Sequence, residues 1–161
     1  MPLSKFIYQS HTNTKTTMKA TLFLLGLLAA ATSVVEAVTI KSGPLTRTNR
    51  NCDGSVAGTA MTESFGTASI TRAANLIVSV PVLLKGSPNT AYNVRVIQLP
   101  LSGSSCGDCT SGGGTLTTNS GGVGNTNVIQ AVKPGATAAW IAINKKTNCG
   151  DFYTLQPLPI T

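Results

Sequence analysis

Past residue 37, apolar and polar positions alternate in short runs separated by glycine, proline and asparagine. Period-two alternation sends successive side chains to opposite faces of a strand, whereas an amphipathic helix repeats every 3.6 residues. No segment of this part of the chain keeps the helical period. The alternation predicts strands at Val56–Met61, Thr67–Arg72, Leu76–Leu84, Tyr92–Leu99, Gly114–Thr118, Thr126–Val132, Thr137–Asn144 and Phe152–Leu155. About eight short strands with turn residues between them predict an all-β fold. The expected architecture is an antiparallel β-sandwich, immunoglobulin-like or a related Greek key, stabilised by disulfides.

Phase assigns the faces. Leu76, Val78, Val80, Val82 and Leu84 share one phase and are expected to line the core, as are Val94 and Val96 on the following strand. Pro81 has no N–H to give a ladder, so its strand is expected at an edge or bulged there. Lys85–Thr90 and Asn119–Asn125 read as hairpin loops, and Pro134-Gly135 has the order of a type II turn. Leu101–Gly113 is the one long irregular piece.

In Ala139–Ile143, Ile141 and Ile143 fall on one phase; Trp140, Ala142 and Asn144 fall on the other. With the isoleucines inward, Trp140 faces outward beside Lys145 and Lys146. Two environments follow for it: an exposed contact residue, or a side chain covered by the Leu101–Gly113 loop. A tryptophan beside bases stacks on sugar rings or anchors a protein partner. Trp140, Asn144, Lys145 and Lys146, with the Cys106–Cys109 loop, form the candidate binding surface.

The start of the chain reads as an address rather than as fold. An apolar core at Ala20–Ala31 follows Lys19, and Val35-Glu36-Ala37 places small residues three and one before a cut. About a dozen apolar residues fall short of the roughly 20 that cross a bilayer. Residues 1–37 are therefore expected to be a cleaved signal peptide, with 38–161 a single secreted domain. Met18-Lys19 would open an ordinary signal by itself, so residues 1–17 read as an upstream start extension.

Removing that leader changes the available chemistry. The 161-residue chain carries 12 Lys and Arg, 5 Asp and Glu and one histidine. Residues 38–161 keep nine of the bases and four of the acids, a net charge of +5, and no histidine, because His11 lies in the leader. Without imidazole, Ser-His-Asp and Cys-His nucleophiles are excluded, as are zinc and copper sites built on histidine. Gly112–Gly114 is not followed by Lys-Ser/Thr, so it is no phosphate loop. The basic balance suits an anionic partner. Nucleic acid is disfavoured, since there is no basic helix and only five aromatic residues beyond the leader. The expected partner is an extracellular protein or glycan.

All four cysteines, Cys52, Cys106, Cys109 and Cys149, lie past the leader and predict two disulfides. Three pairings exist. Cys52–Cys149 with a local Cys106–Cys109 is the expected one, and cross-pairing of the loop to both chain ends is its alternative. Cys106 and Cys109 have the spacing of a redox motif, but such motifs open a helix and this one sits in a Gly/Ser loop. Three acids adjoin cysteines: Asp53, Asp108 and Asp151. If the cysteines gather, these carboxylates form a candidate Ca²⁺ site or the acid pair of a small hydrolase; otherwise they serve their own turns. No other cofactor is expected.

Five segments occur in a set order: Thr67–Thr71, Asn89–Gln98, Gly114–Asn119, Gly122–Asn125 and Asp151–Thr154. Together they resemble small exported all-β proteins of actinobacteria and fungi. The resemblance implies an extracellular β-sandwich and brings no catalytic residues with it. The Cys106–Cys109 pair departs from the single cysteine of that loop, so no disulfide pairing carries over. The expected function is extracellular binding without catalysis, of the fungal effector or host-interaction type. The alternatives are a carboxylate hydrolase and a structural wall or adhesion component.

Overall fold

A computed structural model describes residues 38–100 and 105–161; the expected leader lies outside them. Among the described residues, nine strands form two antiparallel sheets packed as a sandwich. The first sheet holds β1 (Thr39–Leu45), β2 (Gly66–Ala73) and β3 (Leu76–Leu83), with β6 (Gly124–Asn125) and β7 (Val128–Ala131) both on the far side of β3. The second runs β5 (Gly114–Thr117), β4 (Ala91–Leu99), β8 (Ala138–Lys145) and β9 (Asn148–Pro159).

Pro81 explains why β6 and β7 are separate strands rather than the single Thr126–Val132 strand expected. Its carbonyl accepts from Thr126 N–H on that side, so its missing N–H faces the same way. The ladder breaks there, between Leu83↔Gly124 and Val82↔Asn125 at one end and Ser79↔Val128 at the other. Pro81 keeps its Cα partner Ala68 on the β2 side.

The phase of β3 is the reverse of that expected. Ile77, Ser79, Pro81 and Leu83 face inward and are buried, while Val78, Val80 and Val82 look out and Leu76 and Leu84 are exposed. Both phases of this strand are apolar except at Ser79. That one polar residue, buried with its hydroxyl donating to Val128 O, marks the core phase as the less apolar one. Val94 and Val96 do face the core, beside Tyr92.

The core lies between the sheets, with Leu45, Ile70, Leu83, Leu116, Ile141 and Leu155 fully or almost fully buried. Tyr153 packs against Tyr92 at 5.9 Å and Phe65 at 5.2 Å between ring centroids. Beyond Val94, no strand among the described residues pairs with the outer edge of β4, and side-chain amides take over. Gln98 is buried, donates to Ala131 O and accepts from Lys133 N–H; Gln130 donates to Val96 O. A buried amide is tolerated because its donor and acceptor are both used.

The loops differ from their expected roles. Lys85–Thr90 and Asn119–Asn125 are not hairpin connections: the first carries the chain from the first sheet to the second, and the second returns it. Gly135 adopts φ +77°, as the expected turn requires. The expected strand at Val56–Met61 is absent, reduced to an isolated bridge between Arg50 and Val56, and β1 forms where no strand was expected. Gly43 and Pro44 interrupt the alternation there. No helix among the described residues is long and apolar enough to cross a membrane.

Candidate functional site

The outward residues of the second sheet are Asn93, Arg95 and Ile97 on β4, Trp140, Ala142 and Asn144 on β8, and Phe152 and Thr154 on β9. Two irregular arms lie over this face. The first leaves β1, pairs Thr46 with Thr154 of β9, and turns back on itself at Asn49–Ala57. The second is the loop that carries Cys106 and Cys109.

Gly54 lets the first arm dock closely. It sits at φ +83°, and a Cβ there would lie 2.4 Å from Pro157 Cγ and 3.4 Å from Trp140 Cδ1. Glycine alone meets both demands at this position. Asp53 shapes the same turn, accepting from Ser55 N–H at 2.9 Å and from the Ser55 hydroxyl at 2.6 Å. These bonds hold its carboxyl below the usual pKa.

The second arm is held from beneath. Buried Asn93 donates to Ser111 O at 2.7 Å and Cys109 O at 3.2 Å. The terminal nitrogens of Arg95 donate to Cys106 O, Gly107 O and Asn144 Oδ1 at 2.8–2.9 Å. Asp108 accepts from Thr110 N–H, the Thr110 hydroxyl and the Ser111 hydroxyl, which lowers its pKa. Its carboxylate thus closes its own loop.

The disulfides join the arms and the sheet. They are Cys52–Cys106 and Cys109–Cys149, the cross-pairing, rather than Cys52–Cys149 with Cys106–Cys109. Cys52 rides on the first arm and Cys149 on β9, so bonds from the intervening loop clamp it at both ends. A local Cys106–Cys109 bond would leave the loop free of both.

Trp140 therefore lies under cover, 2% exposed, packed with Ile97, Ala142, Leu99 and Cys106 in a second apolar cluster. Its indole N–H donates to Cys52 O at 3.4 Å. Asn144 is buried as well, its amide spent on Arg95 and on Cys149 O. Trp140 thus takes the second of its two expected environments, under the Cys106 loop as well as the first arm, and Trp140 and Asn144 are corrected from candidate surface residues to interior ones. Lys146 is exposed and donates to the Thr115 hydroxyl; Lys145 is half-buried in the β8–β9 hairpin.

The carboxylates do not gather into the expected site. Asp151 pairs with Arg47 at 2.9 Å and accepts from the Ser87 hydroxyl, while Arg47 stacks over Phe65 and Tyr153. Burial opposes the Arg47 charge, but the Tyr153 hydroxyl and Asp151 together raise its pKa. Among the described residues no three His, Cys, Asp or Glu side chains come together as metal ligands. Asp53 and Asp108 each turn to donors in their own loop, which is why adjacency to cysteine in sequence does not bring them to one point.

Between the arms remains a cleft of about 370 Å³. Arg50 and Arg95 line it, with Trp140, Ala142 and Phe152 as its apolar part. Neither arginine stood out by itself in the sequence. The available signal was the phase of Arg95: a base in mid-strand, opposite Val94 and Val96 and next to Ile97 on its own face, belongs to a face that something covers. No family model, curated protein or solved structure matches the chain.

Proposed function

We propose that this protein is secreted and acts outside the cell by binding, without turning over a substrate. The observation that carries this reading is the commitment of its acids and thiols. Among the described residues there is no histidine and no free cysteine. Three of the four Asp and Glu carboxylates there are hydrogen-bonded, Asp53 to Ser55, Asp108 to Thr110 and Ser111, and Asp151 to Arg47, while Glu63 stands apart on the surface, 3.8 Å from Lys85. A general acid–base pair needs two groups free to exchange protons at one bond. Two disulfides and the expected leader agree with an oxidising destination. The fungal effector or host-interaction role is the specific form proposed.

The test applies purified oxidised protein to arrays of extracellular glycans and to polysaccharide hydrolysis assays. Saturable binding without product release is the expected result. Hydrolysis that disappears on Asp151→Asn or Asp108→Asn overturns the reading in favour of a carboxylate hydrolase.

A further inference from the structure

Resting on that binding role, we propose that the cleft between the two arms recognises an oxoanion carried by a sugar-sized extracellular ligand. Its carboxylate, sulfate or phosphate ester would sit against Arg50 and Arg95, with the body of the ligand against Phe152.

Charge is the first reason. Both arginines line the cleft, and among the described residues no aspartate or glutamate does. The ion pairs among the described residues are Arg47–Asp151 and Lys85–Glu63, so neither Arg50 nor Arg95 is in one. Both are half-buried, and a cation partly withdrawn from water is stabilised by an anion beside it. Burial indeed lowers the pKa of both, and for Arg50 nothing offsets it. For Arg95 the field of Asp108 offsets part of the effect, yet that carboxylate is occupied by Thr110 and Ser111.

Unused donors are the second reason. A guanidinium has five N–H bonds in a planar fork. Arg95 spends three of them on Cys106 O, Gly107 O and Asn144, and its Nε has no partner. Arg50 gives one bond to Gly54 O, and its Nε is likewise unpartnered. Among the described residues, these two Nε atoms are the buried side-chain nitrogens or oxygens without a hydrogen bond. Both side chains line one cleft, but the Nε atoms themselves are enclosed, so an anion reaches them only when the guanidinium groups turn. The edge formed by Nε and a terminal nitrogen is the edge that grips carboxylate, sulfate and phosphate through two parallel bonds.

Size and rigidity complete the case. A volume of about 370 Å³ lies within the range of small-ligand pockets, and the half-buried Phe152 ring offers apolar surface beside the charges. Cys52–Cys106 and Cys109–Cys149 fix the arms, so little ordering remains for a ligand to cost.

Calorimetric titration of the oxidised protein with sodium galacturonate, inorganic sulfate and inorganic phosphate tests this at fixed ionic strength, with galactose as the neutral control. At least one anion is expected to bind saturably at one site, and galactose is not. Galacturonate alone would indicate an acidic sugar, and phosphate or sulfate alone the corresponding ester. Arg50→Gln, whose loop is held independently by the Cys52 bond, is expected to weaken binding by roughly tenfold to a hundredfold. Lys146→Gln, outside the cleft, is expected to leave it unchanged. Near-ultraviolet circular dichroism checks that each variant is folded; should Arg50→Gln not be, perturbation of the Trp140 indole N–H resonance by the anion in the parent protein replaces it. Failure of all three anions overturns the proposal, as does equal weakening by both variants. If the protein still captures an extracellular glycan in that case, the binding role survives and only this site is lost. Hydrolysis of a substrate with intact anion binding would do the opposite.

Discussion

On the outside of the first sheet the row Ile40, Thr71, Val78 and Ile129 runs across four strands, with both isoleucines more than 60% exposed. On the outside of the second sheet Arg95, Trp140 and Asn144 lie beneath two irregular arms joined by disulfides. The two faces pose different problems. Small β-branched side chains interleaved with serine and threonine leave modest apolar area, which a surface tolerates. A tryptophan beside Ile97 and Leu99 leaves far more, and burying it repays a cover. That cover has few ladder bonds of its own. Its attachments are the covalent links, the Gly54 contact and the hydrogen bonds from Asn93 and Arg95.

If that contrast is right, removing the covalent links has the largest effect. Cys52–Cys106 spans 54 residues and Cys109–Cys149 spans 40. In the chain-entropy model each constrains the unfolded state by about 4 kcal/mol. Replacing all four cysteines by serine is expected to lower the thermal midpoint steeply and to open Trp140 to solvent. Emission of this single tryptophan should shift to the red and become quenchable by acrylamide. Unchanged shielding of Trp140 in the reduced protein would show that the arms hold without the bonds.

Next come paired substitutions on the two sides of the first sheet. Leu83→Ala removes a fully buried side chain and is expected to cost about 2–5 kcal/mol in urea denaturation. Ile129→Thr, on the uncovered face, is expected to stay within about 0.5 kcal/mol of the parent. A large loss at Ile129 would mean that this face is covered after all. Gly54→Ala falls between, at about 1–3 kcal/mol, because the new Cβ meets Pro157 and takes a positive φ. It should also loosen Trp140, which Ile129→Thr should not.

The same contrast explains what the sequence disclosed. The sandwich was legible because Tyr92, Val94 and Val96 alternate with Asn93 and Arg95, and Ile141 and Ile143 with Ala142 and Asn144. β3 was not, since Leu76–Leu84 is apolar on both phases and only packing chooses between them. The disulfide pairing stayed open because three of the four cysteines lie in irregular segments, which allow any partner until the arms are placed. The arginine cleft was hidden for a related reason. Arg50 lies in a segment with no periodicity, two residues before the Cys52 that is bonded to Cys106, and it meets Arg95 only across the folded sheet. Local alternation reports a residue's phase, not what lies above it.

The smallest expected effect concerns acid. The Asp108 carboxyl is fully exposed, yet the backbone N–H of Thr110, then the Ser111 and Thr110 hydroxyls, hold its pKa below the ordinary value of 3.8, with Arg95 adding to the effect. A folded-state pKa below the unfolded one means a contribution that is complete above the unfolded value. It is lost as pH falls through the folded value. The thermal midpoint of the oxidised protein should therefore drop as pH is lowered from about 4 toward 2. Asp108→Asn should remove part of that drop, and the two proteins should converge in strong acid, where the parent carboxyl is protonated. Because Asp108 belongs to the cover, the converging signal should be Trp140 fluorescence rather than the circular dichroism of Tyr92 and Tyr153 in the main core. A difference that tracks the core tyrosines instead would mean that cover and sandwich unfold as one unit, and the distinction between the two faces would then be one of geometry alone.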